Sequence, residues 1–192
     1  MWRCLECQSR PALCRDCMRT SHSLHPLHRI QFWTGTHYCN DWLHNLGVTI
    51  NLGHRGKCCL RQSSKLNSGP YKPPASEIHA LKDYFDPYQS PSQICDTPEA
   101  AKLVNVLHTN GVHKVWIRHC ICIEGKETEH LLEQALFPST FKAPRTAFTF
   151  ILLNDFRKAN LECKTTAYSY FHKLQRVNSE FFPTSCPVSI RY

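Results

Sequence analysis

The segment that most constrains this chain is CLECQSRPALCRDCMRTSHSLHPLH, which runs from Cys4 to His28 and holds four cysteines and three histidines. It has too few apolar side chains to form a hydrophobic core of its own. Small modules of this kind gain their folding free energy from a bound metal ion. The N-terminus has no apolar segment of signal-peptide length, so we expect an intracellular chain. In a reducing compartment, the twelve cysteines indicate metal ligands or buried thiols rather than disulfides.

The spacing within this segment favours zinc, which prefers four tetrahedral thiolate and imidazole ligands. Two pairs of cysteines, each separated by two residues, can each bend around one ion, and two histidines follow them. His25 lies between these histidines and is a competing ligand. The alternative is a set of reduced thiols and surface histidines without metal. The candidate ligands are Cys4, Cys7, Cys14, Cys17, His22 and His28.

Charge and hydropathy indicate the class of partner. The formal net charge is +8, and through residue 62 eight Lys and Arg residues oppose three acidic residues. A basic excess suits an acidic partner such as DNA, with modest and mainly electrostatic binding, although a solvated basic surface is the simpler reading. No apolar run is long enough to span a membrane, so we expect no membrane partner. Nothing in the sequence indicates a small-molecule substrate.

Composition divides the chain into three parts, and the predicted fold class is α+β. Residues 1–62 hold the Cys/His segment, with little regular structure expected before residue 40, then a helical turn ended by Gly47 and a short strand, VTINL. Residues 63–98 are rich in Pro and Ser and predict an extended linker, which a short helix over SEIHALKDYF interrupts. Residues 99–192 form the third part.

In the third part, two β-prone runs flank Asn110-Gly111, which predicts a hairpin with a two-residue turn at that pair. TEHLLEQALF predicts a helix ended by Pro138. Two apolar stripes at helical spacing follow, and such stripes are usually core. The first stripe comprises Phe148, Ile151, Leu152, Phe156 and Ala159, and the second comprises Ala167, Tyr170, Phe171, Leu174 and Val177.

A second set of candidate ligands spans the predicted linker. Cys120 and Cys122 are two apart on the second predicted strand of the hairpin, so both thiols project from one face. LGHRGKCC offers His54 and either Cys58 or Cys59. These residues predict a second zinc site that connects the two halves of the chain. The alternative is a pair of buried free cysteines, a residue type that is often buried.

The sequence contains no motif that indicates an enzyme. There is no Gly-rich phosphate loop, no His-Glu-x-x-His and no nucleophile elbow. A zinc deaminase needs a glutamate beside its zinc histidine, and HSLH and GHRG lack one. We therefore expect no catalytic residue and no hydrolytic, nuclease or strand-transfer activity.

The order Cys-x2-Cys, Cys-x2-Cys, His, His resembles the later part of a B-box zinc finger. That resemblance implies a cross-braced pattern, in which Cys4 and Cys7 share one zinc with His22 and His28. Cys14 and Cys17 would belong to a second ion, whose other two ligands normally come from an upstream pair that this sequence does not contain.

A wider resemblance rests on an ordered set of motifs: HPLHRIQFWTGTHY, LGVTINLGHRGKCC, NGVHKVWIRHCIC, FPSTFKAPRTAFTF and a closing RY. Together they resemble the cysteine-cluster region at the N-terminal side of fungal KDZ (Kyakuja-Dileera-Zisupton) transposases, over nearly the whole chain. The resemblance favours Cys59 over Cys58 as a ligand and implies a nuclear location. The catalytic domain of such transposases would follow Tyr192, so the chain is expected to be a fragment or a truncated relic.

The leading functional hypothesis is a zinc-dependent nucleic-acid-binding or targeting module of a transposase. A B-box-like protein-interaction module, acting through self-association or another protein, is the second. An enzyme is the third and the least favoured.

Overall fold

The computed structural model describes residues 1–57, 59, 101–122 and 127–178. Within them the chain is a mixed α+β protein, which confirms the predicted fold class. The predicted linker over 63–98 and the helix within it lie outside the described residues, as do Cys58, Cys95 and Cys186. The boundaries proposed between the three parts stay predictions.

The N-terminal part contains β1 (Trp2–Cys4), α1 (Arg15–Ser21), β2 (Ile30–Trp33), β3 (Tyr38–Asp41) and a 3₁₀ turn (Leu43–Leu46). The strands form a three-stranded antiparallel sheet in the order β1-β2-β3. The helix α1 connects β1 to β2, and the 3₁₀ turn follows β3. The part of the chain before residue 40 therefore has more regular structure than predicted. The sequence did not indicate these strands because they are too short to show a clear apolar alternation.

The helical turn and the strand predicted after Trp42 are both present. Gly47 ends the 3₁₀ turn in the left-handed conformation with φ 79°, which glycine adopts without steric cost. The strand β4 (Thr49–Asn51) follows it. A second 3₁₀ turn (His54–Gly56) comes directly after β4.

The C-terminal part contains β5 (Ala101–His108), β6 (Gly111–Arg118), α2 (Glu127–Glu133), β7 (Leu136–Pro138), β8 (Thr146–Thr149), α3 (Phe150–Cys163) and α4 (Ala167–Asn178). Together with β4, its strands form a five-stranded mixed sheet in the order β4-β6-β5-β8-β7. β4 comes from the N-terminal part and pairs in parallel with β6, so the two parts share one sheet.

Apolar side chains form three buried clusters. One lies behind the N-terminal sheet and includes Met18 and Leu46. The other two clusters lie on the two faces of the five-stranded sheet. One of them contains Val106 and Ile117 of the sheet and Leu131 of α2. On the opposite face, α3 and α4 contribute Leu152, Tyr170, Phe171 and Leu174 to a cluster with Leu107 and Val112. Of the predicted apolar stripe of α4, Tyr170, Phe171 and Leu174 are core as expected, whereas Ala167 is exposed. In the first stripe Leu152 is buried, but Ile151 is 65% exposed, so that prediction is only partly correct.

The hairpin forms, but its turn is one residue earlier than predicted. His108 pairs with Gly111, so the loop is Thr109-Asn110 and Gly111 begins β6 with φ 134°. A Cβ on Gly111 would lie 2.1 Å from Oδ1 of Asn178. The Asn178 side chain accepts a hydrogen bond from the Val112 amide at 2.6 Å and donates one to its carbonyl at 2.7 Å. This long-range contact, which the sequence did not reveal, accounts for the glycine.

Two helix boundaries also differ from the predictions. The helix predicted up to Pro138 ends at Glu133, and Leu136–Pro138 instead forms β7, paired with β8, because Leu136 is needed in the core of the sheet. Phe148 belongs to β8 rather than to the helix that follows. Thr149 caps α3 by accepting a hydrogen bond from the Leu152 amide, which fixes the start of that helix.

None of the helices in the described part of the chain is both long and apolar enough to span a membrane.

Candidate metal centres

The first Cys/His cluster forms where β1 and β2 meet. Cys4 ends β1 and pairs with Ile30, so the residues just before β2 lie beside it. His28 is two residues before Ile30, and its Nδ1 is 3.4 Å from Sγ of Cys4. Cys7, in the turn after β1, has its Sγ 3.6 Å from the same nitrogen.

His22 enters the cluster from the end of α1. It follows the last helical residue, is 2% exposed, and its Nε2 lies 3.5 Å from Sγ of Cys7. Its other ring nitrogen, Nδ1, is 3.1 Å from the carbonyl oxygen of Met18. A proton on Nδ1 would be donated to that oxygen, which leaves the lone pair of Nε2 facing the sulfur atoms. Outer hydrogen bonds of this kind orient histidine ligands in metal sites.

The thiol of Cys4 ionises more readily than an ordinary cysteine, because its pKa is lowered. Burial raises its pKa, but hydrogen bonding to His22 and to the amides of Cys7 and Glu6 outweighs burial and holds the pKa below its usual value. Hydrogen bonding to Cys4 in turn raises the pKa of His22. The Cys7 amide lies 3.4 Å from Sγ of Cys4 and donates to it. Thiolate is the form of cysteine that binds metal.

The second Cys/His cluster forms where β4 and β6 end. These strands are parallel, with Asn51 beside Arg118, so the residues that follow both strands meet at one edge of the sheet. His54 follows β4, and its Nε2 is 3.1 Å from Sγ of Cys120 and 3.5 Å from Sγ of Cys122. Cys120 and Cys122 lie beyond the end of β6, rather than on the strand as predicted.

Cys59 completes this second cluster from a buried position. Its Sγ is 3.4 Å from that of Cys122 and 4.0 Å from that of Cys120. It is 3% exposed, whereas His54 lies at the surface. The Cys122 amide is 3.3 Å from Sγ of Cys120, the same amide-to-sulfur contact as in the first cluster.

The distances given above, 3.1 to 4.0 Å between ligand atoms, are close to those of a tetrahedral zinc site. Zn–S and Zn–N bonds of about 2.3 and 2.1 Å place tetrahedral ligand atoms roughly 3.4 to 3.8 Å apart. All ligand atoms of each cluster lie within 4.8 Å of one another. The clusters are Cys4, Cys7, His22 and His28 in one case, and His54, Cys59, Cys120 and Cys122 in the other. These arrangements could hold a metal ion, and their sulfur-rich composition is consistent with zinc.

The structure leaves three of the candidate ligands outside both clusters. His25 stacks on the ring of His28 at 4.9 Å and is exposed. Cys14 and Cys17 are exposed at the start of α1, where the Cys17 amide lies 3.5 Å from Sγ of Cys14. Among the described residues, no group of three or more ligands includes either of them.

The fold and the two clusters define a class of protein: an α+β chain whose two sheets each carry a candidate metal centre at a strand end.

Comparison with known families is consistent with this description. Residues 88–181 match the family described as CxC2-like cysteine cluster associated with KDZ transposases. This confirms the resemblance inferred from the motifs: this region of the chain is similar to a cysteine cluster of that type. The match covers close to half of the chain, so it is shorter than the resemblance first suggested, and it includes Cys120 and Cys122 but not the first cluster.

No curated protein and no solved structure matches the chain. The matched family is a cysteine cluster associated with transposases and is not itself a catalytic domain.

Proposed function

We propose that this chain is a non-catalytic zinc-binding module of a KDZ-type transposase and that it contacts nucleic acid in the nucleus. The observation that carries the proposal is the pair of four-residue Cys/His clusters, in each of which all ligand atoms lie within 4.8 Å of one another. In this proposal each cluster holds one zinc ion. Cys14 and Cys17 are then a half-site, since two thiolates alone bind zinc weakly.

The proposed role of the metal is structural. Zinc with four protein ligands has no open position for water or substrate, and such sites contribute folding free energy. The first ion would connect β1, α1 and the start of β2. The second would connect the ends of β4 and β6. These ends are distant in the sequence, since His54 and Cys120 are 66 positions apart.

Metal content tests the zinc proposal. Purified protein analysed by elemental mass spectrometry is expected to hold two zinc ions per chain. Cys4→Ser and Cys120→Ser should each remove one, while Cys163→Ser, a substitution at an exposed cysteine on α3, should remove none. Loss of both ions in Cys163→Ser, or full retention in Cys4→Ser, would contradict the assignment.

Contact with nucleic acid is proposed from charge. The chain carries a formal charge of +8, and Arg10, Arg19 and Lys57 are exposed and lie close in sequence to cluster ligands. Phosphate contacts release counterions, so affinity for DNA should fall steeply as salt rises. Fluorescence anisotropy with a labelled duplex between roughly 50 and 200 mM salt measures this slope. Affinity that is independent of salt, or no binding at the lowest salt, would refute this part of the proposal.

A B-box-like interaction module is the second candidate. It is favoured by the composition of the first cluster, in which Cys4 and Cys7 lie with His22 and His28 while the cysteine pair between them stays outside. Under this alternative, sedimentation would reveal oligomers whose mass rises with protein concentration, and the chain would have no affinity for DNA.

A further inference from the structure

The N-terminal sheet has one face turned away from its core, and this face carries two aromatic rings, one arginine and two amides. Side chains alternate across a strand, so the residues between the buried ones share the outer face. The strand register places Arg3 beside Gln31, Gln31 beside Asn40, and Trp33 beside Tyr38. We call these five residues the outer face.

Contacts among these side chains hold the outer face in one arrangement. The guanidinium carbon of Arg3 lies 3.5 Å above the centroid of the Tyr38 ring. Nε and Nη2 of Arg3 donate to Oε1 of Gln31 at 3.1 and 2.8 Å, and Nε2 of Gln31 donates to Oδ1 of Asn40 at 3.0 Å. Trp33 packs against Tyr38 with ring centroids 4.9 Å apart and is 39% exposed. The indole of Trp33 is therefore exposed to solvent while its packing against Tyr38 holds it in place.

The charge on the outer face is positive. Asp41 is the only acidic residue in the three strands, and it points into the core, where it is 5% exposed. Its carboxylate accepts hydrogen bonds from Nε1 of Trp2 and from the Trp42 amide, each at 2.8 Å. The outer face thus offers a cation beside an exposed indole and no carboxylate, which complements an anionic ligand with flat rings.

We propose that the outer face binds the unpaired bases of single-stranded nucleic acid, an inference that rests on the proposed function. A base would stack on the indole of Trp33, and the guanidinium of Arg3 would attract the adjoining phosphate. Duplex bases hide their ring faces in the helical stack, whereas unpaired bases leave them free for aromatic side chains and arginine. The outer face is therefore selective for single strands, while charge alone binds both forms.

The test compares a labelled oligothymidylate with a duplex of the same length, by fluorescence anisotropy at one salt concentration. Trp33→Ala should weaken single-strand binding about tenfold, since stacking on an aromatic side chain is worth this much for one base. Trp33→Phe keeps a ring and should retain most of the affinity. Duplex binding should not change in either variant. Phe141→Ala removes another exposed ring, 68% exposed, and should leave both affinities unaltered.

The possible outcomes separate this inference from the proposed function. If Trp33→Ala, with an unchanged thermal unfolding curve, binds the single strand as the unsubstituted protein does, the outer face is not the site, although nucleic-acid binding itself stands. If the unsubstituted protein binds neither ligand, both proposals fail. If Trp33→Ala instead dissociates an oligomer and leaves single-strand affinity intact, the outer face is a protein interface and the inference is overturned.

Discussion

Replacing Gly53 with alanine should damage the second cluster selectively. Gly53 has φ 77° and ψ 178°, a backbone conformation that is essentially restricted to glycine. It lies directly before His54, opposite Cys120. A Cβ added at Gly53 would be 2.9 Å from the Cβ of Cys120 and 3.5 Å from the ring of His130.

Two costs add in this variant. The backbone conformation costs an alanine about 1–3 kcal/mol. The overlap adds about 1–3 kcal/mol, the usual cost of an extra methyl group in a packed site, because the atom it meets is the Cβ of Cys120 and not the end of a flexible side chain. Together these ranges give about 2–6 kcal/mol, so we expect a loss of about 4 kcal/mol in the free energy of unfolding.

Gly56 ends the 3₁₀ turn that Gly53 precedes, and it provides a matched control. It has φ 81°, and a Cβ there would meet no atom within 4 Å. Gly56→Ala therefore carries a backbone cost but no overlap. The difference between the two variants measures the overlap with Cys120 together with any difference in cost between the two backbone conformations.

Thermal unfolding of zinc-saturated protein measures this difference. For a chain of this size, about 2 kcal/mol corresponds to a shift of about 4–8 °C in Tm. Gly53→Ala should also release one metal equivalent at a lower chelator concentration than Gly56→Ala, since only the first substitution displaces a proposed ligand. Equal Tm values and equal metal retention in the two variants would show that the close approach to Cys120 has no energetic consequence.

Three further outcomes follow from single buried residues. Burial lowers the pKa of His113 to about 3, below its ordinary 6.5, so between these values the unfolded chain binds a proton that the folded chain does not. The free energy of unfolding should therefore fall as the pH drops below about 6.5. In urea titrations repeated at several pH values, His113→Gln should reduce this pH dependence. Leu46 is 0% exposed in the core behind the N-terminal sheet, and Leu46→Ala should cost about 2–5 kcal/mol in the same assay, with a smaller loss contradicting tight packing. The Tyr170 hydroxyl donates to Oδ2 of Asp155, so Tyr170→Phe should cost about 1 kcal/mol, and an unchanged midpoint would argue against a net contribution from that bond.

The members of the first cluster could be predicted because the ligands lie close together in the sequence. A cysteine pair at this spacing bends around one point, and two histidines follow within a few turns of chain. The spacing favours His28 as the partner of Cys4 but leaves His25 as an alternative. The choice depends on the pairing of β1 with β2, since that register places His28, and not His25, beside Cys4.

The sequence predicts the members of the second cluster but not its architecture. The pattern places Cys120 and Cys122 on one face of a strand, whereas β6 ends at Arg118. Their proximity to His54 comes instead from the parallel pairing of β4 with β6. Parallel pairing joins segments that are distant in sequence, and local patterns carry no information about it.

Predictions of individual turns and helix ends failed where a distant side chain decided the local structure. The Asn110-Gly111 pair is a strong turn signal, yet the amide of Asn178 bonds to the backbone of Val112 and Gly111 is required at the start of a strand. The outer face was missed for a related reason. Arg3 and Trp33 are far apart in the sequence, and only the register of three short strands brings them to one surface.

The position of each cluster explains how short elements can form a stable fold. β1 and β4 have three residues each, too few for hydrogen bonds along the strand to hold them against the entropy of the chain. In both cases a Cys/His cluster lies at the end of the short strand and includes residues from its neighbours. A tetrahedral ion at that point would fix the strand ends in register, so the free energy of metal binding would supply what the short ladders lack.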